Sequence, residues 1–214
     1  RVRTARGRSV ASTRWLERQL NDPYVHRARD EGYRARSAYK LLEIDAKHKI
    51  LEPGRKVCDL GAAPGSWAQV CARKGLKVVG LDTEPMEPLA GCTFLEGDFR
   101  DEAVRHRLRA VLDGRADLVL SDMAAAATGQ RLVDRLRAEE LAELVLGFAD
   151  EVLAEDGDVL IKLVKGAEPA ARAAALPRFR NVQFVRPPAT RKDSSEMFLL
   201  ARGHRAKAEA PARA

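Results

Sequence analysis

The run GDVLIKLV, residues 157–164, places a lysine inside an otherwise apolar segment that is typical of a buried strand. A charged side chain in a core strand is costly unless it is paired or has a function. Another apolar run, ADLVLSD, ends at Asp122, so a carboxylate follows a second predicted strand. The combination predicts a close carboxylate or a functional role for Lys162, since desolvation and a second nearby ammonium group would make a lysine a workable base. A lysine at a strand end whose ammonium group reaches solvent is the alternative.

The run CDLGAAPGSWAQV, residues 58–70, is a glycine-rich turn between a predicted strand and a predicted helix. It contains neither the G-x-G-x-x-G pattern for dinucleotides nor the G-x-x-x-x-G-K-[ST] pattern for triphosphates. Gly61 and Gly65 allow the backbone to approach a ligand closely, and the first N–H groups of the helix suit a carboxylate. A neutral turn without a lysine therefore favours an amino-acid carboxylate over a triphosphate.

Two acidic residues follow the next two predicted strands. Asp82 stands about 20 residues after the turn, the separation at which an acid accepts hydrogen bonds from ribose hydroxyls. Asp98, in LEGDFRD, is placed to accept from an exocyclic adenine amine. An amino-acid carboxylate, a ribose and an adenine in this order describe S-adenosylmethionine, whereas NAD needs the dinucleotide turn that is missing here. Each residue alone is also compatible with an ordinary turn or a strand-end cap.

Seven predicted strands carry these residues and alternate with helices along the chain. The strands are, in order, KVCDL, KVVGLD, CTFLEGD, ADLVLSD, GDVLIKL, NVQFV and EMFLLA. This alternation predicts an α/β, Rossmann-like fold with a mostly parallel sheet, and apolar spacing predicts a long helix over 131–154. The link RPPATRKDSS between the last two strands is too short for a crossover helix and predicts an antiparallel C-terminal hairpin.

The chain of 214 residues carries 38 Lys and Arg against 31 Asp and Glu. This excess favours a polyanionic partner, although a basic surface without a partner is the alternative. The length suits a single domain, predicted over 22–204, between a basic, flexible arm over 1–21 and a disordered tail over 205–214. No apolar run is long enough to span a membrane, and the cysteines lack metal-binding spacing. We therefore expect a cytoplasmic protein without a metal, and a monomer.

Six segments together resemble the FtsJ/RrmJ type of ribosomal RNA methyltransferase. They are SAYKLLEID, DLGAAPGSWAQV, EGDFRD, LVLSDMA, LIKLVKG and SSEMFLLARG. The resemblance extends from about Arg14 to His204 and implies the fold of S-adenosylmethionine-dependent methyltransferases, with that cofactor. It also implies a substrate and a reaction, the 2′-O-methylation of a uridine ribose in the A loop of 23S rRNA within the large ribosomal subunit.

The resemblance further implies roles for individual residues. The Lys-Asp-Lys-Glu tetrad of the family corresponds to Lys40, Asp122, Lys162 and Glu196. Lys162 would be the general base, Lys40 would assist it and help to hold the RNA, and the two acids would orient the lysines and the hydroxyl. The implied cofactor contacts are Gly65, Trp67, Asp82, Asp98 and Asp122. Without the resemblance, Trp67 would be interpreted as a core residue.

Basic residues on both sides of the tetrad predict an RNA-binding surface. They are Arg34, Arg36, Lys40, Arg191 and Lys192. One or two predicted helices over 22–49 would present the arginines outward, where phosphate contacts position an RNA without reading its sequence. Three interleaved tyrosines, Tyr24, Tyr33 and Tyr39, are compatible with stacking on nucleotides or with core packing.

Two departures from the family pattern concern the site. Ser66 follows Gly65 where the family usually has a second glycine. The run AAAATG follows Met123 where the family commonly has Pro and Asn. The loop beside the predicted cofactor and target nucleotide therefore lacks a rigid proline and a polar amide side chain.

Three other functions are compatible with the sequence. A 2′-O-methyltransferase of tRNA or of another RNA would use the same tetrad, since the tetrad acts on a ribose and not on a base. A non-catalytic RNA-binding factor in ribosome assembly would keep only the fold. A nicotinamide-dependent oxidoreductase is disfavoured by the missing dinucleotide turn.

Overall fold

The structure is a computed structural model and describes residues 21–205. The predicted basic arm, except Asn21, and the predicted tail, except Arg205, lie outside the described residues. The domain boundaries therefore remain a prediction.

Thirteen elements are described between residues 21 and 205. The strands are β1 (Lys56–Leu60), β2 (Lys77–Asp82), β3 (Cys92–Glu96), β4 (Ala116–Ser121), β5 (Leu153–Val164), β6 (Phe179–Val185) and β7 (Glu196–His204). The helices are α1 (Pro23–Asp30), α2 (Ala38–His48), α3 (Ser66–Arg73), α4 (Glu102–Leu112), α5 (Arg131–Val152) and α6 (Glu168–Ala175).

The seven strands form one sheet in the order β3-β2-β1-β4-β5-β7-β6. Strands β1 to β5 are parallel to one another, and β7 lies between β5 and β6 and is antiparallel to both. The predicted fold class and the antiparallel C-terminal pair are thereby confirmed. The long helix ends at Val152 and not at Ala154, because the chain becomes extended and enters β5 at Leu153.

Helices pack on both faces of the sheet, and successive residues of each strand point to opposite faces. Leu160 of β5 and Phe198 and Leu200 of β7 are buried with residues of α2 and α3. Ile161 and Leu199, on the other face, are buried with residues of α4, α5 and α6. The carboxyl ends of β1 to β5 meet at one edge, which is where open α/β sheets bind ligands.

Helices α1 and α2 are held together by aromatic packing. Tyr39 of α2 is 2% exposed, and its ring centroid lies 5.4 Å from that of Tyr24 and 5.7 Å from that of Tyr33. Tyr24 and Tyr33 therefore both pack on Tyr39. Of the two interpretations that the sequence left open, nucleotide stacking and core packing, this arrangement favours core packing. None of the helices between residues 21 and 205 combines the length and the apolar character needed to cross a membrane.

Candidate active site

A cavity of about 310 Å³ opens at the carboxyl ends of β1 to β4. Its lining includes Gly61, Asp82, Asp98 and Asp122, four predicted cofactor residues that follow four different strands. Gly61 has φ of +74°, and a Cβ atom built on it would lie 2.9 Å from the backbone nitrogen of Met123. Only glycine fits this turn, because any side chain would be strained and would meet the neighbouring loop.

Backbone N–H groups fix the carboxylates of the cavity. Asp82 accepts hydrogen bonds from the N–H groups of Ala63 at 2.9 Å and Glu84 at 3.0 Å. Asp98 accepts from the N–H group of Arg100 at 2.9 Å. Because an ionised carboxylate has about four lone-pair sites, both side chains retain acceptor capacity toward a ligand.

Lys162 and Asp122 form one of two lysine–acid pairs at this edge of the sheet. Lys162 Nζ lies 3.0 Å from Asp122 Oδ1 and also donates to the Asp122 carbonyl oxygen. The side chains keep 16% and 20% exposure, so the ammonium group is largely desolvated yet reachable. Lys162 is therefore not a strand-end lysine that reaches only bulk solvent.

The second pair joins helix α2 to strand β7. Lys40 Nζ lies 2.6 Å from Glu196 Oε1, with side-chain exposures of 11% and 18%. The Lys40 ammonium group also lies 6.0 Å from the ring centroid of Phe198. A charged pair of this low exposure needs good geometry to offset its desolvation, which argues for a role at the site.

Strand register brings the two pairs to the same face of the sheet. Lys162 lies opposite Phe198, and Val164 lies opposite Glu196. Alternation along β5 and β7 puts Lys162 and Glu196 on the face that α2 covers, as it does Leu160 and Phe198. The structure thus assembles all four tetrad residues from α2, β5, β7 and the turn after β4.

A second cavity, of about 590 Å³, begins where the first one ends. Met123, Ala124 and Leu141 line both cavities, and Lys162 lies in the wall of the second. The Lys162–Asp122 pair therefore lies between two adjoining spaces, with Asp122 lining the first and Lys162 the second. Within residues 21–205, no cluster of three or more His, Cys, Asp or Glu side chains is arranged to hold a metal ion.

Comparison with known proteins identifies the family. The model of the FtsJ-like methyltransferase family matches residues 33–204. The chain belongs to this family. It is a methyltransferase enzyme, and its methyl donor is S-adenosylmethionine.

Curated relatives match this FtsJ-like methyltransferase over nearly its whole length. A protein of Gluconobacter oxydans is 50% identical over 206 residues, which cover 95% of this chain and 77% of the relative. A protein of Roseobacter denitrificans is 47% identical, with 97% and 92% coverage. Both are named ribosomal RNA large subunit methyltransferase E. A solved ribosomal RNA methyltransferase of Plasmodium falciparum is 26% identical, with a TM-score of 0.73 and coverage of 82% and 100%.

The residues of the first cavity fit the cofactor of the FtsJ-like methyltransferases. Asp82 and Asp98 supply fixed acceptors for hydroxyl and amine groups, and the turn at Gly61 brings backbone close to the cavity. Among residues 21–205, Arg100 is the only lysine or arginine that lines this space, in keeping with a ligand that has no phosphate.

Two of the predicted cofactor residues lie outside this cavity lining. Gly65 precedes α3, and a Cβ atom built on it would lie 2.6 Å from a guanidinium nitrogen of Arg34. Trp67 is 3% exposed, donates its indole N–H to the Ser37 carbonyl oxygen at 2.8 Å and packs against Phe198. The indole is a core group that ties α3 to α2, so contacts of Gly65 and Trp67 with the cofactor remain predictions.

The predicted RNA-binding arginines are mostly engaged within the protein. Arg34 donates to the carbonyl oxygens of Pro64 and Pro88 and so lies over the cofactor turn. Arg36 is 14% exposed and Arg191 is 30% exposed, and both pair with the same oxygen of Asp22, at 2.8 and 3.2 Å. The expectation that Arg36 faces outward is wrong, because the Asp22 carboxylate turns its guanidinium group into the protein.

The remaining basic predictions divide in two. Lys192 is exposed, as an RNA contact requires. Lys40 shares a cavity of about 250 Å³ with Arg36, Arg191 and Glu196, so its ammonium group is still reachable from outside.

Asp59 is a buried acid that sequence reasoning missed. It lies in β1, is fully buried, and neither of its carboxylate oxygens has a hydrogen-bond partner among the described residues. Burial, followed by the charges of Asp122 and Asp82, raises the pKa of its carboxyl group to about 8. A signal was present, since an acid in the centre of the predicted strand KVCDL is as unusual as Lys162 in its strand.

The raised pKa of Asp59 predicts a pH-dependent stability. An unfolded aspartate has a pKa of about 3.9. Below that pH the carboxyl group is protonated in both the folded and the unfolded state, and burial carries no cost of ionisation. Its stabilising contribution is lost as pH rises toward the folded pKa of about 8. Asp59→Asn should therefore gain stability relative to wild type between about pH 4 and pH 8, by at most about 1.4 kcal/mol per pH unit.

Urea unfolding of the cofactor-free enzyme at several pH values measures this difference. Asp30→Asn, at an exposed position of α1, is the matched control and should track wild type. A constant difference between Asp59→Asn and wild type across this range would show that Asp59 is ionised in the folded protein.

Proposed function

We propose that this enzyme methylates the 2′-oxygen of a uridine ribose in the A loop of 23S rRNA, within the large ribosomal subunit. The observation that carries the proposal is a set of two lysine–acid contacts on one face of the sheet. Lys162 pairs with Asp122 between the two cavities, and Lys40 pairs with Glu196 two positions further along the β5–β7 register. The names of the relatives, which describe ribosomal RNA large subunit methyltransferases, support the substrate.

A ribose hydroxyl becomes a good nucleophile only when its proton is removed. S-adenosylmethionine, when bound, supplies an electrophilic methyl group. Lys162 accepts the hydroxyl proton at Nζ, and the carboxylate and carbonyl of Asp122 hold this nitrogen in place. The proton acceptor must be unprotonated at the start of the step, so the neutral form of Lys162 is the active one.

Lys40 and Glu196 act on the position and charge of the same site. The Lys40 ammonium group adds positive charge on the face that carries Lys162, where it can also attract the RNA backbone. Glu196 fixes Lys40 at 2.6 Å and offers its second oxygen toward the hydroxyl. Gly65 and Trp67 complete the proposed cofactor contacts. The proposed RNA surface consists of Lys192, Lys40 and the outer side of Arg34, Arg36 and Arg191.

Further parts of the proposal concern the protein as a whole. The enzyme acts in the cytoplasm, as a monomer, through a single domain over residues 22–204. The excess of Lys and Arg over Asp and Glu supports a partner that is a polyanion.

Mapping of 2′-O-methyl groups in cells that lack the protein tests the proposal. One methylated uridine of 23S rRNA should become unmethylated, and expression of wild type should restore it. Loss of a methyl group from tRNA alone would replace the proposed substrate by tRNA. A protein that restores ribosome assembly yet binds no S-adenosylmethionine would instead be a non-catalytic assembly factor.

A further inference from the structure

The second cavity adjoins the predicted cofactor cavity and has Lys162 in its wall. It lies between the start of α5 with the preceding loop and the carboxyl end of β5, and it has a volume of about 590 Å³. Such a volume is within the roughly 300–1,000 Å³ range of small-molecule sites. The cavity shares Met123, Ala124 and Leu141 with the first cavity, so a methyl acceptor bound in it would lie next to both Lys162 and the cofactor cavity.

One wall of the second cavity is apolar. The side chains there are Ala124, Ala125, Ala127, Ala138, Leu141, Leu163 and Val164. This wall includes Ala125, which stands where the family pattern has Pro. A flat aromatic ring packs well against small apolar side chains, and single-stranded RNA offers such rings as splayed bases.

The mouth of the second cavity is basic. Arg131 and Lys165 line it and are exposed, and neither makes an ion pair with any residue of the described range. Arg36 and Arg191, in contrast, are paired with Asp22. The acid at this mouth is Asp134. Its carboxylate accepts hydrogen bonds from the N–H and hydroxyl groups of Thr128 and from the N–H group of Gly129, and it forms no ion pair with Arg131 or Lys165 within the described residues.

We propose that the second cavity holds the base of the target nucleotide, and that Arg131 and Lys165 contact the RNA phosphates that flank the methylated ribose. This inference rests on the proposed function and names the residues that place its substrate. The base lies against the alanine wall, so the ribose hydroxyl stands at the junction beside Lys162. Ser195 is the one uncharged polar side chain among the described residues that line the cavity, so shape and stacking contribute most to holding the base there.

Two variants and their controls test the proposal. Ala138→Phe fills the cavity from α5, and Ala170→Phe places the same ring on the exposed surface of α6. Arg131→Ala/Lys165→Ala removes the two basic contacts, and Lys47→Ala/Lys77→Ala removes two exposed lysines elsewhere, of which Lys77 lies at the opposite edge of the sheet. All variants are compared with wild type for methyl transfer to purified large subunits, S-adenosylmethionine affinity and RNA affinity.

Ala138→Phe should lower kcat/KM for the RNA by at least about 100-fold, because a misplaced acceptor loses near-attack geometry. Its affinity for S-adenosylmethionine should be unchanged, which also shows that it folds. The Arg131/Lys165 double variant should weaken RNA binding and reduce the slope of log affinity against log salt by about 1.4, for two lost contacts to a single strand. Both controls should match wild type.

Wild-type methyl transfer by Ala138→Phe, or an unchanged salt slope in the double variant, would overturn the proposal. These outcomes leave the proposed function intact, because they require an active wild-type enzyme. Absence of methyl transfer by wild type itself would be the separate failure of the proposed function.

Discussion

Lys162→Ala is expected to lower kcat for methyl transfer by about 10²–10⁴-fold, the usual contribution of a positioned general base. The variant lacks the group that removes the hydroxyl proton, whereas the carboxylate of Asp122 and the cofactor cavity remain. Affinity for S-adenosylmethionine should change little, because the Lys162 side chain lines the second cavity and not the first. Single-turnover transfer of labelled methyl groups, together with calorimetric cofactor binding, measures both quantities.

Lys77→Ala is the matched control for Lys162→Ala. It removes the same side chain from the exposed amino end of β2, at the far edge of the sheet. Lys162→Arg offers a further test, since it keeps the positive charge but cannot be deprotonated at ordinary pH. If Lys162→Ala transferred methyl groups at the wild-type rate while still binding the cofactor, Lys162 would not be the base.

Asp82→Ala is expected to weaken binding of S-adenosylmethionine by about 10–100-fold, because a hydrogen bond to a charged group contributes about 1.5–3 kcal/mol. The substitution also removes the acceptor of the Ala63 N–H group, so the turn around Gly61 loses a support. Isothermal titration calorimetry with the cofactor alone measures the effect without any RNA.

Glu87→Ala is the control for Asp82→Ala, because it removes one exposed carboxylate from the same β2–β3 connection without touching the cavity lining. Its affinity should equal that of wild type. Equal affinity of Asp82→Ala and wild type would remove Asp82 from the cofactor site.

The strand ends were predictable from the sequence, because hydrophobic alternation and turn residues mark where a strand stops. Asp82 ends β2, and Asp98 and Asp122 follow β3 and β4. Parallel strands bring such positions to one edge without further information. The cavity that contains them was therefore accessible to sequence reasoning. Lys40 and Glu196 were not, since nothing local links α2 to β7, and only the family resemblance paired them.

Side-chain partners distant in sequence were the part that sequence reasoning missed. Asp22 pairs with Arg36 and Arg191, so its carboxylate partly neutralises two of the predicted phosphate contacts. Ser66, a departure from the family pattern, places its hydroxyl 2.6 Å from that of Ser37 and so joins α3 to the start of α2. Both contacts depend on how α1 and α2 pack onto the sheet, which no local pattern specifies.

Transfer of labelled methyl groups to large ribosomal subunits from a strain that lacks the enzyme tests the central claim most directly. Wild type with S-adenosylmethionine should label the 2′-oxygen of one ribose of 23S rRNA, and the phosphodiester bond next to this ribose should then resist alkaline cleavage. Lys162→Ala should not transfer the label. Label on a base instead of a ribose, or no label in these subunits while another RNA is methylated, would contradict the proposed reaction.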